Sequence, residues 1–116
     1  MSIDISISYD VMPGPPGFLL EVKGGGLIIN GVPFLEEKSD ALVSDFIKEI
    51  DHLEVWRWKR KLHNKDVLDG TYFTMTISNN KRHKWIYKNE FPKNFEDLLS
   101  AINNLSQGEL FYYLGR

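Results

Sequence analysis

The sequence predicts an α+β protein, a two-layer sandwich in which two helices pack on one face of a mostly antiparallel sheet. Apolar and polar residues alternate strictly over residues 2–9, which is typical of a half-buried strand. Two later stretches, near residues 39–53 and 95–105, carry apolar residues at helical spacing. The expected order is roughly βββαβββα, with residues 109–114 as a short last strand or a packed tail. A chain of 116 residues without repeats or low-complexity linkers predicts a single compact domain, 1–116.

The first strand places Ile3, Ile5, Ile7 and Tyr9 on one face. Three prolines between residues 12 and 17 exclude regular structure there. Residues 18–23 and 27–30 follow as a hairpin turned at Gly24-Gly25-Gly26. Gly31 then breaks the second of these strands.

Two amphipathic helices have recognisable starts and stops. Ser39 is a good N-cap for the first, which should run to about Leu53, and Asn94 caps the second, with Pro92 before it and Gly108 after it. The apolar stripe of the first helix consists of Leu42, Val43, Phe46, Ile47, Ile50 and Leu53. That of the second consists of Phe95, Leu98, Leu99, Ile102 and Leu105.

Three strands are predicted between the helices, at residues 55–61, 71–78 and 83–88. The last two form a hairpin whose tip contains Asn79-Asn80. A three-residue or five-residue loop pairs Ile77 with His83, Met75 with Trp85 and Phe73 with Tyr87, which gathers the large apolar groups on one face. A one-residue slip would scatter them, so we predict this register.

The opposite face of that hairpin then holds Thr74, Thr76, Lys84, Ile86 and Lys88. If Trp56 and Trp58 join the core under the helices, alternation along the strand at 55–61 turns its cations outwards. The predicted basic sheet face therefore consists of Arg57, Lys59, Lys61, Lys84 and Lys88. On this arrangement Val55 and Ile86 would be exposed as well.

Composition is that of an ordinary soluble globular protein, with 42% hydrophobic and 26% charged residues. The absence of cysteine excludes disulfides, thiolate nucleophiles and zinc–thiolate sites. No apolar run reaches the ~18 residues of a membrane helix, and the N-terminus lacks the pattern of a secretory signal. A cytoplasmic protein without a membrane association is expected.

Charge is segregated along the chain. Residues 1–56 carry ten acidic and three basic side chains, whereas residues 57–88 carry two acidic and nine basic ones. The overall net charge is only −2. Such a chain is expected to present one acidic and one basic surface to its partners, which concerns binding rather than chemistry.

No catalytic motif stands out, and neither an enzyme nor a cofactor is expected. Gly24-Gly25-Gly26 lacks the Lys-Ser/Thr pair and helix start of a phosphate-binding loop, so a simple turn is the better interpretation. His63 with Asp66 and Asp69 could bind a metal or perform acid–base chemistry, but mixed polar residues are usual in loops. A small hydrolase or nuclease that uses His63 and His83 stays a third alternative.

Residues 36–54 contain an acidic run, which consists of Glu36, Glu37, Asp40, Asp45, Glu49, Asp51 and Glu54. Only two cations, Lys38 and Lys48, lie within it. A dense acidic face can steer a basic protein partner and block its anion-binding groove, as a nuclease inhibitor does. The predicted contacts lie on the acidic helix and on two tail aromatics, namely Glu37, Asp40, Asp45, Glu49, Tyr112 and Tyr113.

The second half of the chain contains a set of motif residues, namely Trp58, the run Asp69-Gly70-Thr71-Tyr72-Phe73, Ile77 and the run Phe91-Pro92-Lys93-Asn94-Phe95-Glu96-Asp97-Leu98-Leu99. Together these residues resemble a class of small bacterial α/β domains. Several of these domains are suspected immunity or phage-related partners of toxins. The resemblance covers about residues 54–105, and its shared positions are turns, caps and core. It implies a fold and a non-enzymatic immunity protein that covers the active site of a cognate toxin, with an oligomeric state left open.

The alternative function is nucleic-acid binding through the predicted basic sheet face. Aromatic and basic residues interleave from Trp56 to Lys61, as in a single-stranded nucleic-acid platform. Strand alternation, however, sends the tryptophans and the first two cations to opposite faces. Stacking and phosphate contact would then not share a surface.

Overall fold

A computed structural model describes residues 3–12, 17–35, 39–66 and 70–108. The elements in chain order are β1 (Asp4–Met12), β2 (Phe18–Lys23), β3 (Gly26–Ile29), β4 (Val32–Leu35), α1 (Ser39–His52), a 3₁₀ turn (Val55–Arg57), β5 (Lys61–His63), β6 (Gly70–Ser78), β7 (Arg82–Lys88) and α2 (Phe95–Leu105). The prediction of a last strand or tail at residues 109–114 lies outside the described residues.

The described strands form one seven-stranded sheet in the order β4-β3-β2-β1-β6-β7-β5. Neighbouring strands are antiparallel except for β5, which pairs with β7 in parallel. Because β1 pairs with both β2 and β6, it joins the two halves of the sheet. The predicted α+β class is confirmed.

Two tight turns shape the first half of the sheet. Gly24 and Gly25 have φ of 55° and 82° and connect β2 to β3, as predicted. Asn30 and Gly31, with φ of 50° and 80°, make a second two-residue turn into β4. The sequence pattern predicted only a break at Gly31, and β4 was not predicted. Pro33 is tolerated in β4 because this strand lies at the edge of the sheet.

The predicted register of the β6–β7 hairpin is confirmed. Ile77 pairs with His83, Met75 with Trp85 and Phe73 with Tyr87. The pairing closes at Ser78 and Arg82, which leaves the three-residue loop 79–81. In that loop the Asn79 side chain accepts a hydrogen bond from the Lys81 backbone N–H at 3.1 Å.

The core lies on one face of the sheet and receives side chains from both helices. Ile7, Met75 and Trp85 are fully buried members of adjacent strands. The ring centroid of Phe95 in α2 lies 4.9 Å from that of Phe73. From α1, Val43, Phe46 and Ile50 join the same cluster. The predicted apolar stripes of both helices therefore face the core.

The predicted strand at residues 55–61 is wrong. Val55–Arg57 is a 3₁₀ turn, and pairing begins only at Lys61. Val55 is completely buried, although strand alternation had placed it on the exposed face. Glu54 adopts a left-handed conformation with φ of 56°, so the chain leaves α1 in a tight turn instead of continuing into an extended strand.

The helix ends agree with the predicted positions but not with every predicted contact. Asn94 is the N-cap of α2, yet its backbone is left-handed (φ 72°) and its side chain makes no capping hydrogen bond. Its carbonyl accepts the Asp97 N–H at 3.0 Å instead. Gly108, with φ of 84°, donates its N–H to the Asn103 carbonyl at 2.9 Å and terminates the helix as predicted.

Candidate binding surfaces

The exposed acidic side chains of α1 do not form a single patch. Asp45 and Glu49 are one turn apart, whereas Asp40 is rotated by about 140° from Asp45 at 100° per residue. All three are exposed, and none makes an ion pair with another described residue. Glu37, Tyr112 and Tyr113 lie outside the described part of the chain, so the predicted contact surface reduces here to α1.

Asp45 and Glu49 line a groove of about 430 Å³ between α1 and α2. Its floor is apolar and includes Phe46, Ala101 and Leu105, and the cationic Lys48 also lines it. Asp40 instead lines a separate cavity of about 620 Å³ between α1 and the β2–β3 turn. The predicted acidic residues of α1 are thus divided between two concave sites. The interhelical groove has two of them, and the other cavity has one.

Two other acids of the run have structural roles. The Asp51 carboxylate accepts a hydrogen bond from the Trp56 indole N–H at 2.6 Å, which ties the end of α1 to the 3₁₀ turn. Glu54 lies 3.6 Å from the Arg57 guanidinium, an exposed pair that contributes little stability. Asp51 and Glu54 are therefore engaged in closing the turn after α1.

The predicted basic sheet face is reproduced in part. Lys61 pairs in register with Ile86, and Lys84 and Lys88 alternate with the buried Trp85 and Tyr87, so the three lysines lie on the outer face of the sheet. Arg57 and Lys59 fall in the 3₁₀ turn and the segment after it, outside the sheet. Their assignment to this face was wrong because the chain there is not a strand.

Tyr72 was not predicted as a functional residue. It alternates with the buried Phe73, faces outwards and is 36% exposed. The Lys88 ammonium lies 4.9 Å from the centroid of its ring. An aromatic side chain and a cation thus share the outer face, although the tryptophans do not. The outward position of Tyr72 in the predicted register was the signal available in the sequence.

The tryptophans lie on the core side of the sheet, as expected. Trp56 packs on Trp85 with ring centroids 5.7 Å apart, and His83 lies 5.0 Å from Trp56. Arg60 also contacts this cluster, with its guanidinium carbon 4.2 Å from the Trp85 ring centroid. Trp58 is half-buried against the core. These contacts hold the segment of residues 56–60 against the sheet.

Tyr87, in β7, also binds this segment. Its hydroxyl donates a hydrogen bond of 2.7 Å to the Lys59 carbonyl, and the residue is almost completely buried. Burial raises the pKa of Tyr87 to about 12, an effect that the nearby Arg60 charge partly offsets. The neutral phenol is therefore the form that the folded protein stabilises.

We expect Tyr87 to make the protein less stable in alkali. Between pH 10 and about 12 the unfolded chain loses the phenol proton while the folded chain keeps it. The contribution of Tyr87 to the free energy of unfolding is therefore fully present below pH 10 and is lost as pH rises towards 12. The slope from this residue approaches 1.4 kcal/mol per pH unit, as an order of magnitude. Urea unfolding from pH 9 to 11.5 measures it. Tyr87→Phe should flatten the slope relative to the exposed control Tyr72→Phe, and equal slopes would contradict the assignment.

The histidines do not combine into a site. His63 faces outwards beside Lys88, whereas His83 faces the core side next to Trp56. Among the described residues no group of three His, Asp or Glu side chains is placed to hold a metal ion. Asp69, the third member of the predicted loop cluster, lies outside these residues.

Neither described helix has the length and apolar character needed to cross a bilayer. Comparison with known proteins adds no relative: no family model, curated protein or solved structure matches the chain.

Proposed function

We propose that this protein is a non-enzymatic cytoplasmic inhibitor that binds and neutralises a cognate bacterial toxin, as an immunity protein does. It would present two opposed surfaces, a helix layer and an open sheet face, in a two-layer sandwich. The partner surface is the groove between α1 and α2 together with its acidic rim.

The observation that supports this proposal is the combination of charge and shape at the groove. Asp45 and Glu49 stand beside an apolar floor. Lys48 lines the same groove, but neither carboxylate forms an ion pair with it or with another described residue. Charged groups at an interface speed encounter and select the partner, while an apolar side chain inserted between them supplies contact area. A basic protein with an apolar side chain among its cations meets both requirements.

Inhibition then follows from occupation of an anion-binding cleft. A toxin that acts on nucleic acid needs lysine and arginine side chains to hold phosphate groups. Carboxylates on α1 would bind those same side chains, so the substrate could not reach them. Because the attraction is largely electrostatic, the association rate should fall as ionic strength rises.

We expect Asp45→Lys combined with Glu49→Lys to weaken partner binding by about a hundredfold or more, because each new lysine faces a cation of the partner. The affinity-tagged chain would be used to capture proteins from native lysate, followed by identification by mass spectrometry. A captured protein should arrest growth when expressed alone, and the wild-type chain should relieve the arrest while the variant does not.

The control is Asp66→Lys combined with Glu90→Lys, an equal charge change at exposed positions outside both helices. It should bind the partner like the wild type. The proposal fails if the wild-type chain captures no toxin-like protein, or if both double variants bind equally well.

A further inference from the structure

We propose that the outer face of the sheet is a binding site for single-stranded nucleic acid, built from Lys61, Arg82, Lys84 and Lys88 around Tyr72. We call the four cations the basic patch. This inference is independent of the proposed inhibitor function, because it concerns the face of the sheet opposite the core and uses none of the residues of α1.

Among the described residues, none covers the outer face of the sheet. Buried side chains of the sheet point to the other side, where α1 and α2 supply the rest of the core. None of the described outward-facing side chains of β1, β2, β5, β6 and β7 is buried. Leu19 is 38% exposed and Tyr72 is 36% exposed. A ligand could therefore lie across several strands without displacing part of the described structure.

The cations of the basic patch form a regular row. Arg82, Lys84 and Lys88 project from alternate positions of β7, where each two-residue step covers about 7 Å. At the missing step, Ile86, the neighbouring strand supplies Lys61 in register. Four positive charges thus recur at nearly even intervals over about 20 Å, an arrangement suited to a polyanion with regularly repeated charge.

Few acids oppose this row. The strands β5, β6 and β7 contain no Asp or Glu. The nearest outward carboxylates in the sheet are Asp4 and Asp10 on β1, two strands away from β7, or about 10 Å, although Asp10 is the cross-strand partner of Tyr72. None of the four cations makes an ion pair with a described residue. Their charge is therefore available to a ligand.

Tyr72 distinguishes nucleic acid from other polyanions. The Lys88 ammonium lies over its ring, 4.9 Å from the centroid, so a base could take the place of this cation on the ring while Lys88 turns to contact the phosphate. The hydroxyls of Ser8 and Thr74, which share a hydrogen bond of 2.7 Å on the adjacent strands, provide donors and acceptors for base edges. The described face is a sheet without a protruding helix, which favours splayed single-stranded bases over the grooves of a duplex.

The test is fluorescence anisotropy with a labelled 12-nucleotide oligothymidine at several salt concentrations. Four phosphate contacts predict that log Kd rises with log[salt] with a slope near 3, as an order of magnitude from about 0.7 per contact on a single strand. Lys61→Gln combined with Lys84→Gln should reduce this slope by about 1.4. The matched control, Lys48→Gln with Lys93→Gln, removes two exposed cations outside the sheet and should leave both slope and affinity unchanged.

Tyr72→Ala should weaken oligothymidine binding about tenfold through loss of stacking and leave heparin binding unchanged. Unfolding curves of every variant should show a cooperative transition, which checks that the fold is retained. The inference is overturned if oligothymidine does not bind in low salt, if the control pair weakens binding as much as the patch pair, or if Tyr72→Ala has no effect. Equal affinity for a duplex of the same length would likewise overturn it.

Discussion

Phe73→Ala should lower the free energy of unfolding by about 3–5 kcal/mol, the range for removing a buried aromatic ring. Phe73 is completely buried and lies in β6, an inner strand of the sheet. Its ring centroid lies 4.9 Å from that of Phe95 and 5.9 Å from that of Tyr87, so it joins β6 to both α2 and β7. Small domains are stable by roughly 5–15 kcal/mol, and this loss would bring the protein near its unfolding limit.

Urea unfolding followed by tryptophan fluorescence measures this loss, with the dependence on urea checked for an unchanged slope. The neighbouring residue provides the control. Tyr72→Ala removes an aromatic side chain of similar size from the exposed face and should cost less than about 1 kcal/mol. Similar losses for the two variants would mean that the inward and outward faces of β6 are wrongly assigned.

Gly70→Ala should cost about 1–3 kcal/mol, because a Cβ atom at this position would overlap the Asn89 side chain. Asn89 closes the open end of the β6–β7 pair. Its Oδ1 accepts the Thr71 N–H at 2.8 Å, and its own N–H donates to the Thr71 carbonyl at 2.9 Å. An added methyl group forces this side chain away and leaves the Thr71 N–H without its acceptor.

A double-mutant cycle separates this overlap from a general effect of losing glycine. Asn89→Ala alone removes the hydrogen bond to Thr71 and should cost about 1–2 kcal/mol. In that background Gly70→Ala has no side chain to displace. The double variant should therefore lose about 1 kcal/mol less stability than the sum of the losses in the two single variants. Additive losses would show that the overlap does not determine the need for glycine at position 70.

Local patterns were sufficient for most of the regular elements. The strict alternation at the N-terminus predicted β1, and the apolar stripes predicted both helices, because burial on one side imposes these periods on a sequence. The β6–β7 register was also predictable, since only one pairing collects Phe73, Met75 and Ile77 with Trp85 and Tyr87 on the same face. The turn at Gly24 and Gly25 was predictable as well, because it requires positive φ angles, which glycine adopts without steric cost.

Two elements were missed for different reasons. β4 is only four residues long and contains Pro33, so the Asn30-Gly31 turn before it carried the better signal. Residues 55–60 of the predicted strand alternate like a strand but are held by tertiary contacts instead, and only Lys61 belongs to a strand. Trp85 donates its indole N–H to the Val55 carbonyl at 3.2 Å, and Tyr87 donates to the Lys59 carbonyl, which fixes that backbone away from the sheet.

The candidate surfaces, like the fold, were only partly predictable from the sequence. The sequence by itself determined that charge is segregated, that α1 carries unbalanced acids and that Lys84 and Lys88 share a strand face, because these depend on composition and local period. Only the tertiary structure decided that Asp45 and Glu49 line the interhelical groove while Asp40 does not, and that β5 brings Lys61 beside Ile86. Those outcomes depend on contacts between residues far apart in the chain, which no local pattern encodes.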